Sequence, residues 1–278
     1  MSVKAPVTRF APSPTGYLHL GHAYSAMLNH KTARANNGRF LLRIEDIDPI
    51  RCKPECEDAI YEDLRWLGLT WEEPVRRQSD RMAIYEARLA ELHDRGLVYR
   101  CFKTRKEIND ILHAPHERVD TVFTSEALPA DEERKLMENG VPFSWRLSMQ
   151  RAIQAAGSFT YLEQIDEKST VECDPLAQRH GDVILGRKDI HTSYHLSCVM
   201  DDADQGVNLV IRGQDLADIA DLHALLFKLM GYDIPIFRHH QLIADESGQR
   251  FAKRDQSVTL RALRASGLTP ADIRAYLP

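Results

Sequence analysis

Apolar positions along the first hundred residues predict strands and helices in alternation. VTRFAP (7–12) and RFLLRIED (39–46) have the β-rich, apolar character of short buried strands. A helical stretch from Leu20 to Asn36 separates them and closes at Asn37-Gly38. Amphipathic helices are predicted over Glu55–Leu67 and Asp80–Arg95. Strand–helix alternation at this spacing indicates a parallel sheet with crossover helices.

The pattern loosens over residues 101–175 and then resumes. We therefore expect an α/β protein with a Rossmann-like parallel sheet, a small inserted α+β domain and a short C-terminal helical tail. The predicted segments are 1–100 and 176–245 (the halves of a nucleotide-binding domain), 101–175 (the insert) and 246–278 (a loop and the tail). Later strands are predicted at Phe143–Leu147, Phe159–Leu162, GDVILG (181–186), VNLVIRG (207–213) and FRHHQLIA (237–244). Later helices are predicted over Asp215–Met230 and Leu260–Leu277. In the second of these regions, Thr269 is expected to cap a helix that starts at Pro270.

Composition narrows the class of protein. Apolar residues make up 43% of the 278 residues, which is ordinary for a globular chain. The sequence contains neither an apolar run of about 20 residues nor the apolar core of a secretory signal. Its five cysteines lack the spacing of a disulfide scaffold. We therefore expect a cytoplasmic protein without membrane association. The net charge of −5 does not indicate nonspecific nucleic-acid binding, and it is compatible with a local basic groove.

The densest chemical signal is RFAPSPTG (9–16), which runs into His19-Leu20-Gly21-His22. By itself, His-x-x-His is compatible with a metal pair or with two histidines on a helix surface. Here it lies where a strand turns through proline and glycine into a helix N-terminus, whose free N–H groups and dipole suit a triphosphate. Gly21 leaves room for adenine or ribose near the backbone. The two histidines can donate hydrogen bonds to phosphate oxygens as charge develops.

Charged residues at predicted strand ends suggest an amino-acid pocket. Arg9 and Arg212 lie at the ends of the predicted strands VTRF and VNLVIR, and ligand sites of α/β folds gather at such ends. An arginine offers a bidentate fork to a carboxylate. Glu45, at the end of LLRIE, can meet an ammonium group. The alternative is that these charges only cap the sheet.

RFAPSPTG-x-LHLGHA followed by LLRIED resembles the HIGH region of class I aminoacyl-tRNA synthetases, specifically the glutamyl-tRNA synthetase group, nearly continuously from Thr8 to Arg51. The resemblance implies glutamate activation with ATP through an adenylate. It implies a glutamate pocket of Arg9, Phe10, Ala11, Pro12, Ser13, Glu45, Tyr194 and Arg212. It implies ATP contacts from Pro12, His19, Gly21, His22, Lys253 and Arg254, of which His19, His22 and Lys253 are the expected catalytic residues.

The resemblance also implies a KMSKS-type loop that contacts the transferring phosphates. Its best counterpart is RFAKR (250–254), after the strand-like HQLIA and a polar DESGQ turn. Arg250 replaces the first lysine of the family pattern and Ala252 replaces the serine, whereas Lys253 is kept. Without the resemblance, a charged surface turn is the simpler interpretation.

One departure concerns zinc. The group commonly has a zinc site in the inserted domain that opens with Cys-x-Cys and closes with Tyr-x-x-x-Cys. This chain keeps Cys101, but Lys103 stands two positions later and the next cysteine is Cys173. Only His113 and His116 remain as additional ligands, which is a poor zinc pattern. We expect no bound metal except Mg²⁺ that accompanies ATP.

The acceptor is inferred from length. Full glutamyl-tRNA synthetases carry a large anticodon-binding region after the KMSKS loop, whereas this chain ends 24 residues after Arg254. It thus resembles the glutamyl-queuosine tRNA(Asp) synthetases, which activate glutamate without tRNA and esterify it to queuosine, the wobble base of tRNA(Asp). Two alternatives stay open: a truncated glutamyl-tRNA synthetase that charges the 3′ end of tRNA(Glu), and a non-catalytic paralogue that binds RNA or adenylate. A nucleotidyltransferase with an HxGH element would not explain the glutamate pocket. We expect a monomer.

The assignment of Lys253 generates a prediction. Lys253→Ala should lower the rate of glutamate-dependent pyrophosphate exchange about 10²-fold or more, because a preorganised cation at the transferring phosphates is lost. Glutamate binding, measured by calorimetry, should change little. A variant that exchanges at the wild-type rate would show that the loop has been assigned to the wrong residues.

Overall fold

The computed structural model describes residues 4–112, 122–166, 169–243 and 258–278. The strands in these ranges are β1 (Val7–Phe10), β2 (Arg39–Ile44), β3 (Glu72–Arg77), β4 (Val98–Cys101), β5 (Ser144–Leu147), β6 (Tyr161–Gln164), β7 (Thr170–Cys173), β8 (Ile184–Gly186), β9 (Leu209–Gly213) and β10 (Ile236–His240). The helices are α1 (Leu20–Ala35), α2 (Pro54–Trp66), α3 (Met82–Asp94), α4 (Arg105–Leu112), α5 (Ala130–Glu138), α6 (Met149–Ala156), α7 (Tyr194–Asp204), α8 (Ala220–Leu229), α9 (Leu260–Ala265) and α10 (Pro270–Ala275).

The expected parallel α/β core is confirmed. β1, β2 and β3 form one parallel sheet, and β9, β10 and β6 form another, with β7 antiparallel at its edge. Asn208 joins the two sheets: its Oδ1 accepts from the Val7 N–H at 2.8 Å, and its N–H donates to the Val7 carbonyl at 3.2 Å. The carboxyl ends of β1 and β9 therefore lie side by side. No described helix has the length and apolar character needed to cross a bilayer.

Helix α1 follows its predicted bounds to within one residue. Small buried side chains, Ala23, Ala26 and Ala33, let it pack closely on the sheet. The helix ends where Asn37 adopts a positive φ of 51°. A side chain at Gly38 would collide with the carbonyl oxygen of Pro6, so the turn into β2 requires glycine there.

Two predictions about the second half of the chain are wrong. Asp215–Met230 is not one helix, because residues Gln214–Ile219 form a 3-10 helix before α8. Asp215 and Leu216 line a cleft, whereas α8 is packed in the protein interior. GDVILG does not resume the parallel sheet, because β8 pairs antiparallel with β5, which also pairs with β4.

β3 was missed because its sequence, EEPVRR, is polar and an edge strand needs no alternation of buried residues. The β6–β7 hairpin, from the predicted insert, pairs with β10 of the core sheet. β4 and β8, which flank the predicted insert, pair with β5 instead. The boundaries given above for the four segments stay a prediction.

The predicted C-terminal helices are confirmed as α9 and α10. Thr269 caps α10 by accepting from the Asp272 N–H, as expected from its place before Pro270. Leu260 and Ile273 are fully buried against the core around α1, β2 and α2. Thr259 forms an antiparallel bridge with His19, and the Leu260 N–H donates to the Leu18 carbonyl at 2.8 Å. The tail is therefore attached next to the start of α1.

A buried ion network joins β1, β2 and α7. Side chains alternate along a strand, so Phe40, Leu42 and Ile44 pack on one face of β2 while Arg43 projects from the other. The Nη1 of Arg43 donates to Asp202 Oδ1 at 2.7 Å, and its Nη2 donates to Glu45 Oε1 at 3.1 Å.

The network continues into β1. Arg9 donates through Nε to the same Asp202 oxygen at 3.0 Å. Burial alone would raise the pKa of Asp202, but the charges of Arg9 and Arg43 hold it below the ordinary value. All four charged groups are less than 9% exposed, so each depends on its partners for the solvation that water would otherwise supply.

This network generates a stability prediction. Asp202→Asn should lower the free energy of unfolding by about 3–5 kcal/mol, because two buried guanidinium groups keep only Glu45 as a counter-charge. Urea denaturation measures the change. Asp204→Asn is the matched control, since Asp204 lies on the same helix, pairs with Arg76 and Arg81, and is 52% exposed; its cost should stay below about 1 kcal/mol. Equal costs for the two variants would contradict a special role of the buried network.

Candidate active site

A cleft of about 670 Å³ opens at the carboxyl ends of β1, β9 and β10. Ligands of open α/β sheets bind at such edges, where neighbouring strands lead into different connections. The lining residues are Arg9, Phe10, Ala11, Pro12, Ser13, His19, Gly21, His22, Ser25, Glu45, Tyr194, Ile211, Arg212, Gly213, Asp215, Leu216, His240, Leu242 and Ile243.

Two histidines cap the N-terminus of α1. The Nδ1 of His19 accepts from the Gly21 N–H at 3.1 Å, and the Nδ1 of His22 accepts from the His19 N–H at 3.2 Å. The pair thus takes the place of the Ser/Thr and Glu side chains of a usual capping box. Because Nδ1 accepts in both rings, the proton of each neutral imidazole lies on Nε2. The helix N-terminus in this way determines the tautomer of both rings that line the cleft.

Gly21 has a packing role that the sequence did not reveal. A Cβ at this position would lie 3.1 Å from the Cε1 and 3.2 Å from the Nδ1 of His19. That approach is closer than ordinary van der Waals contact, so a side chain would require the His19 ring to shift by a few tenths of an ångström. Glycine therefore keeps the cap intact, in addition to any room it leaves for a ligand.

Arg212, the penultimate residue of β9, is 4% exposed and is held by two histidines. Its Nε donates to His239 Nε2 at 3.2 Å, and its Nη1 contacts His223 Nδ1 at 3.1 Å. Its guanidinium carbon lies 5.3 Å from the centre of the Phe237 ring. The third nitrogen, Nη2, is buried and has no hydrogen-bond partner among the described residues. Nη2 is therefore a donor of Arg212 that no described residue uses.

Glu45 and Tyr194 complete the polar lining. Burial raises the pKa of the Glu45 carboxyl above its ordinary value, against the opposing charges of Arg43 and Arg9. Arg43 donates to Oε1 of Glu45 and thereby fixes the side chain. Burial also raises the pKa of the Tyr194 hydroxyl well above its ordinary value, so the phenol stays protonated and can donate a hydrogen bond.

The structure brings most of the predicted site residues to this one cleft. All eight residues of the predicted glutamate pocket line it, together with His19, Gly21 and His22. Lys253 and Arg254 lie outside the described residues, as do His113 and His116. The roles assigned to all of these residues stay predictions.

Sequence reasoning missed eight lining residues. Three of the missed residues lie within four positions after Arg212: Gly213, Asp215 and Leu216. The predicted end of the strand could therefore have identified them. His240, Leu242 and Ile243 belong to FRHHQLIA, whose place beside β9 depends on strand order. The missed residues are Ser25, Ile211, Gly213, Asp215, Leu216, His240, Leu242 and Ile243.

The described residues contain no group of three metal-binding side chains close enough to hold an ion. Glu45 and Asp215 are the carboxylates among the cleft residues, and Glu45 is already bound to Arg43. The described part of the cleft thus offers no set of three protein ligands to a metal ion.

Comparisons with known proteins agree with this geometry. The model of the family "tRNA synthetases class I (E and Q), catalytic domain" matches residues 6–277. The chain is 45% identical to a glutamyl-Q tRNA(Asp) synthetase of Rhodobacter capsulatus over 98% of this chain and 99% of that protein. It is 37% identical to one from Nocardia farcinica, over 97% of this chain and 82% of that protein.

Glutamate–tRNA ligases are also similar. The Aquifex aeolicus ligase is 35% identical over 97% of this chain and 56% of its own length. A crystal structure of the glutamate tRNA ligase from Elizabethkingia meningosepticum, in complex with its amino acid, superposes with a TM-score of 0.81 and 28% identity, over 98% of this chain and 60% of that one. The chain therefore belongs to the class I tRNA synthetases for glutamate and glutamine and, among them, to the glutamyl-Q tRNA(Asp) synthetase family.

Proposed function

We propose that the protein activates L-glutamate with ATP and transfers it to queuosine at the wobble position of tRNA(Asp). The observation that carries the proposal is a single cleft lined both by Arg212, whose Nη2 has no partner among the described residues, and by the capped helix terminus of α1. An anionic amino acid and a triphosphate need these two features side by side.

The amino-acid half of the cleft suits glutamate. Arg212 is assigned to the side-chain carboxylate, with Arg9 next to it. The ammonium group is assigned to Glu45, whose Oε1 is occupied by Arg43. Tyr194, protonated at neutral pH, supplies a further hydrogen bond. Phe10, Ala11, Pro12 and Ser13 form the adjoining backbone wall.

The nucleotide half is assigned to the start of α1, with Pro12 and Gly21 beside the nucleotide. The Nε2–H groups of His19 and His22, set by their Nδ1 caps, would donate to phosphate oxygens. Lys253 and Arg254 are the predicted cations of the phosphate-binding loop. Mg²⁺ bound to the triphosphate would neutralise part of its charge.

The chemistry needs no side-chain nucleophile. An oxygen of the glutamate α-carboxylate attacks the α-phosphorus, and the bond to pyrophosphate breaks as pyrophosphate takes the electron pair. A hydroxyl of the queuosine cyclopentenediol then attacks the activated carbonyl, AMP leaves and the hydroxyl proton is released. The protein contributes positioning and charge stabilisation in both steps.

Two acceptors for the activated glutamate compete: queuosine of tRNA(Asp) and the 3′ end of tRNA(Glu). Charging of the 3′ end of tRNA(Glu) is favoured by the similarity to glutamate–tRNA ligases, several of which are 34–39% identical to this chain. The higher identity, 45%, is to a protein named as a glutamyl-Q tRNA(Asp) synthetase. We adopt the queuosine acceptor on this basis, and we expect a monomer in the cytoplasm.

The activation step predicts glutamate-dependent pyrophosphate exchange without any tRNA. Aspartate should be a poor substrate because its carboxylate falls short of Arg212, and glutamine should be poor because it lacks the charge. Exchange of radiolabelled pyrophosphate into ATP measures this. Strict dependence on tRNA, or equal exchange with glutamine, would contradict the proposed activation step.

The transfer step predicts that tRNA(Asp) containing queuosine accepts glutamate and that queuosine-free tRNA(Asp) does not. Acid-labile incorporation of ¹⁴C-glutamate measures acceptance. Removing the 3′-terminal adenosine enzymatically should leave acceptance unchanged; periodate is unsuitable because it also destroys the queuosine diol. Loss of acceptance on trimming, with charging of queuosine-free tRNA(Glu), would favour the competing ligase activity.

A further inference from the structure

Arg212 differs from Arg9 and Arg43, the buried arginines of the ion network, in the charge of its partners. Arg9 and Arg43 both donate to Asp202, and Arg43 also donates to Glu45. Two positive and two negative charges therefore compensate each other. Arg212 forms no ion pair with a described carboxylate; its protein partners are His223 and His239.

Both partner histidines are neutral. Arginine has only donors, so His223 Nδ1 and His239 Nε2 must each accept with a lone pair. Burial, and next the charge of Arg212, lowers the pKa of His223 well below its ordinary value. The same two causes lower the pKa of His239 to about 4. At neutral pH these rings hold Arg212 without contributing a counter-charge.

Further contacts determine the tautomers of these rings. His223 Nε2 lies 3.1 Å from His195 Nδ1, so with its own Nδ1 accepting from Arg212 the His223 proton lies on Nε2 and is donated to His195. His239 carries its proton on Nδ1, which faces Glu163 Oε2 at 4.0 Å.

Three of the nearby carboxylates are engaged elsewhere. Asp221 contacts His180 at 2.8 Å and Arg179 at 3.2 Å. Glu45 is bound to Arg43, and Glu163 faces the side of His239 away from Arg212. Asp215 also lines the cleft, but no described ion pair joins it to Arg212, whose hydrogen-bond partners are His223 and His239. The charge of Arg212 is therefore left for a group that enters the cleft.

We propose that His223 and His239 are positioning residues that determine specificity for an anionic substrate side chain, because they orient Arg212 through neutral acceptors and leave its charge uncompensated. The inference rests on the proposed function, since it assigns that side chain to glutamate. A carboxylate in either place would hold the guanidinium equally well but would compensate its charge, and the preference for glutamate over glutamine would fall.

Paired isosteric variants separate charge from geometry. His223→Asn keeps an acceptor near the position of Nδ1, whereas His223→Asp adds a negative charge with nearly the same shape. The Asp variant should raise the KM for glutamate about tenfold or more relative to the Asn variant, with a smaller change in kcat. The ratio of kcat/KM for glutamate to that for glutamine should fall by a similar factor. The KM for ATP should be the same in both.

A second pair of variants, at residue 239, keeps the inference testable if the variants at residue 223 do not fold. His239→Gln retains an acceptor near Nε2, and His239→Glu adds the charge; thermal melting shows which variants are folded. Equal kinetic constants for the Asp and Asn variants of residue 223, and for the Glu and Gln variants of residue 239, would overturn the inference. Wild-type exchange that does not depend on glutamate would instead refute the proposed function, so the two failures are distinguishable.

Discussion

The pairing of Arg9 and Arg43 with Asp202 is the interaction on which the rest of the site depends. It joins two strands of one sheet to α7 in a region closed to water, where an unpaired charge would be very costly. Asp202 thereby fixes the first residue of the cleft, Arg9, and through Arg43 it also orients Glu45. A fully apolar contact would pack these elements as well, but it would orient no polar group. The network combines structural stability with the placement of a carboxylate, Glu45, that lines the cleft.

The same region holds three arginines, and their protein partners differ in charge. Arg9 and Arg43 are compensated within the protein, so they contribute hydrogen-bond geometry with little net charge. Arg212 is oriented by neutral imidazoles and keeps its charge. A cleft in which every arginine had a carboxylate partner would bind an amide about as well as a carboxylate, because no net field would distinguish them. A cation that is held by uncharged groups favours an anion over an amide, because its charge is left for the ligand.

Sequence periodicity predicted the parts of the fold that repeat an apolar pattern: β1, α1, β2, α2 and the tail helices. It missed β3, an edge strand with polar residues. It found β8 but assigned it to the parallel sheet, because the partner of a strand depends on tertiary contacts. The cleft residues of RFAPSPTG and HLGH were found because they are contiguous in the chain. His223 and His239 were not assigned a role, because a histidine within an apolar helix or strand has the same pattern as a core residue. Their role depends on Arg212, which reaches them only once β9, β10 and α8 are assembled.

The cap of α1 links the local sequence to the wider fold. A helix N-terminus needs acceptors for its free N–H groups, and in this chain the imidazoles of His19 and His22 supply them. That task leaves Nε2 as the only protonated nitrogen of each neutral ring. The backbone of His19 is fixed from outside the helix as well, by its bridge to Thr259 of the tail. Ile243 lines the cleft and Thr259 lies beside His19, so the described chain on both sides of the predicted phosphate loop adjoins the cleft. The tail therefore contacts the backbone of the histidine cap directly, and its packing through Leu260 and Ile273 helps to hold the N-terminal end of α1 in position.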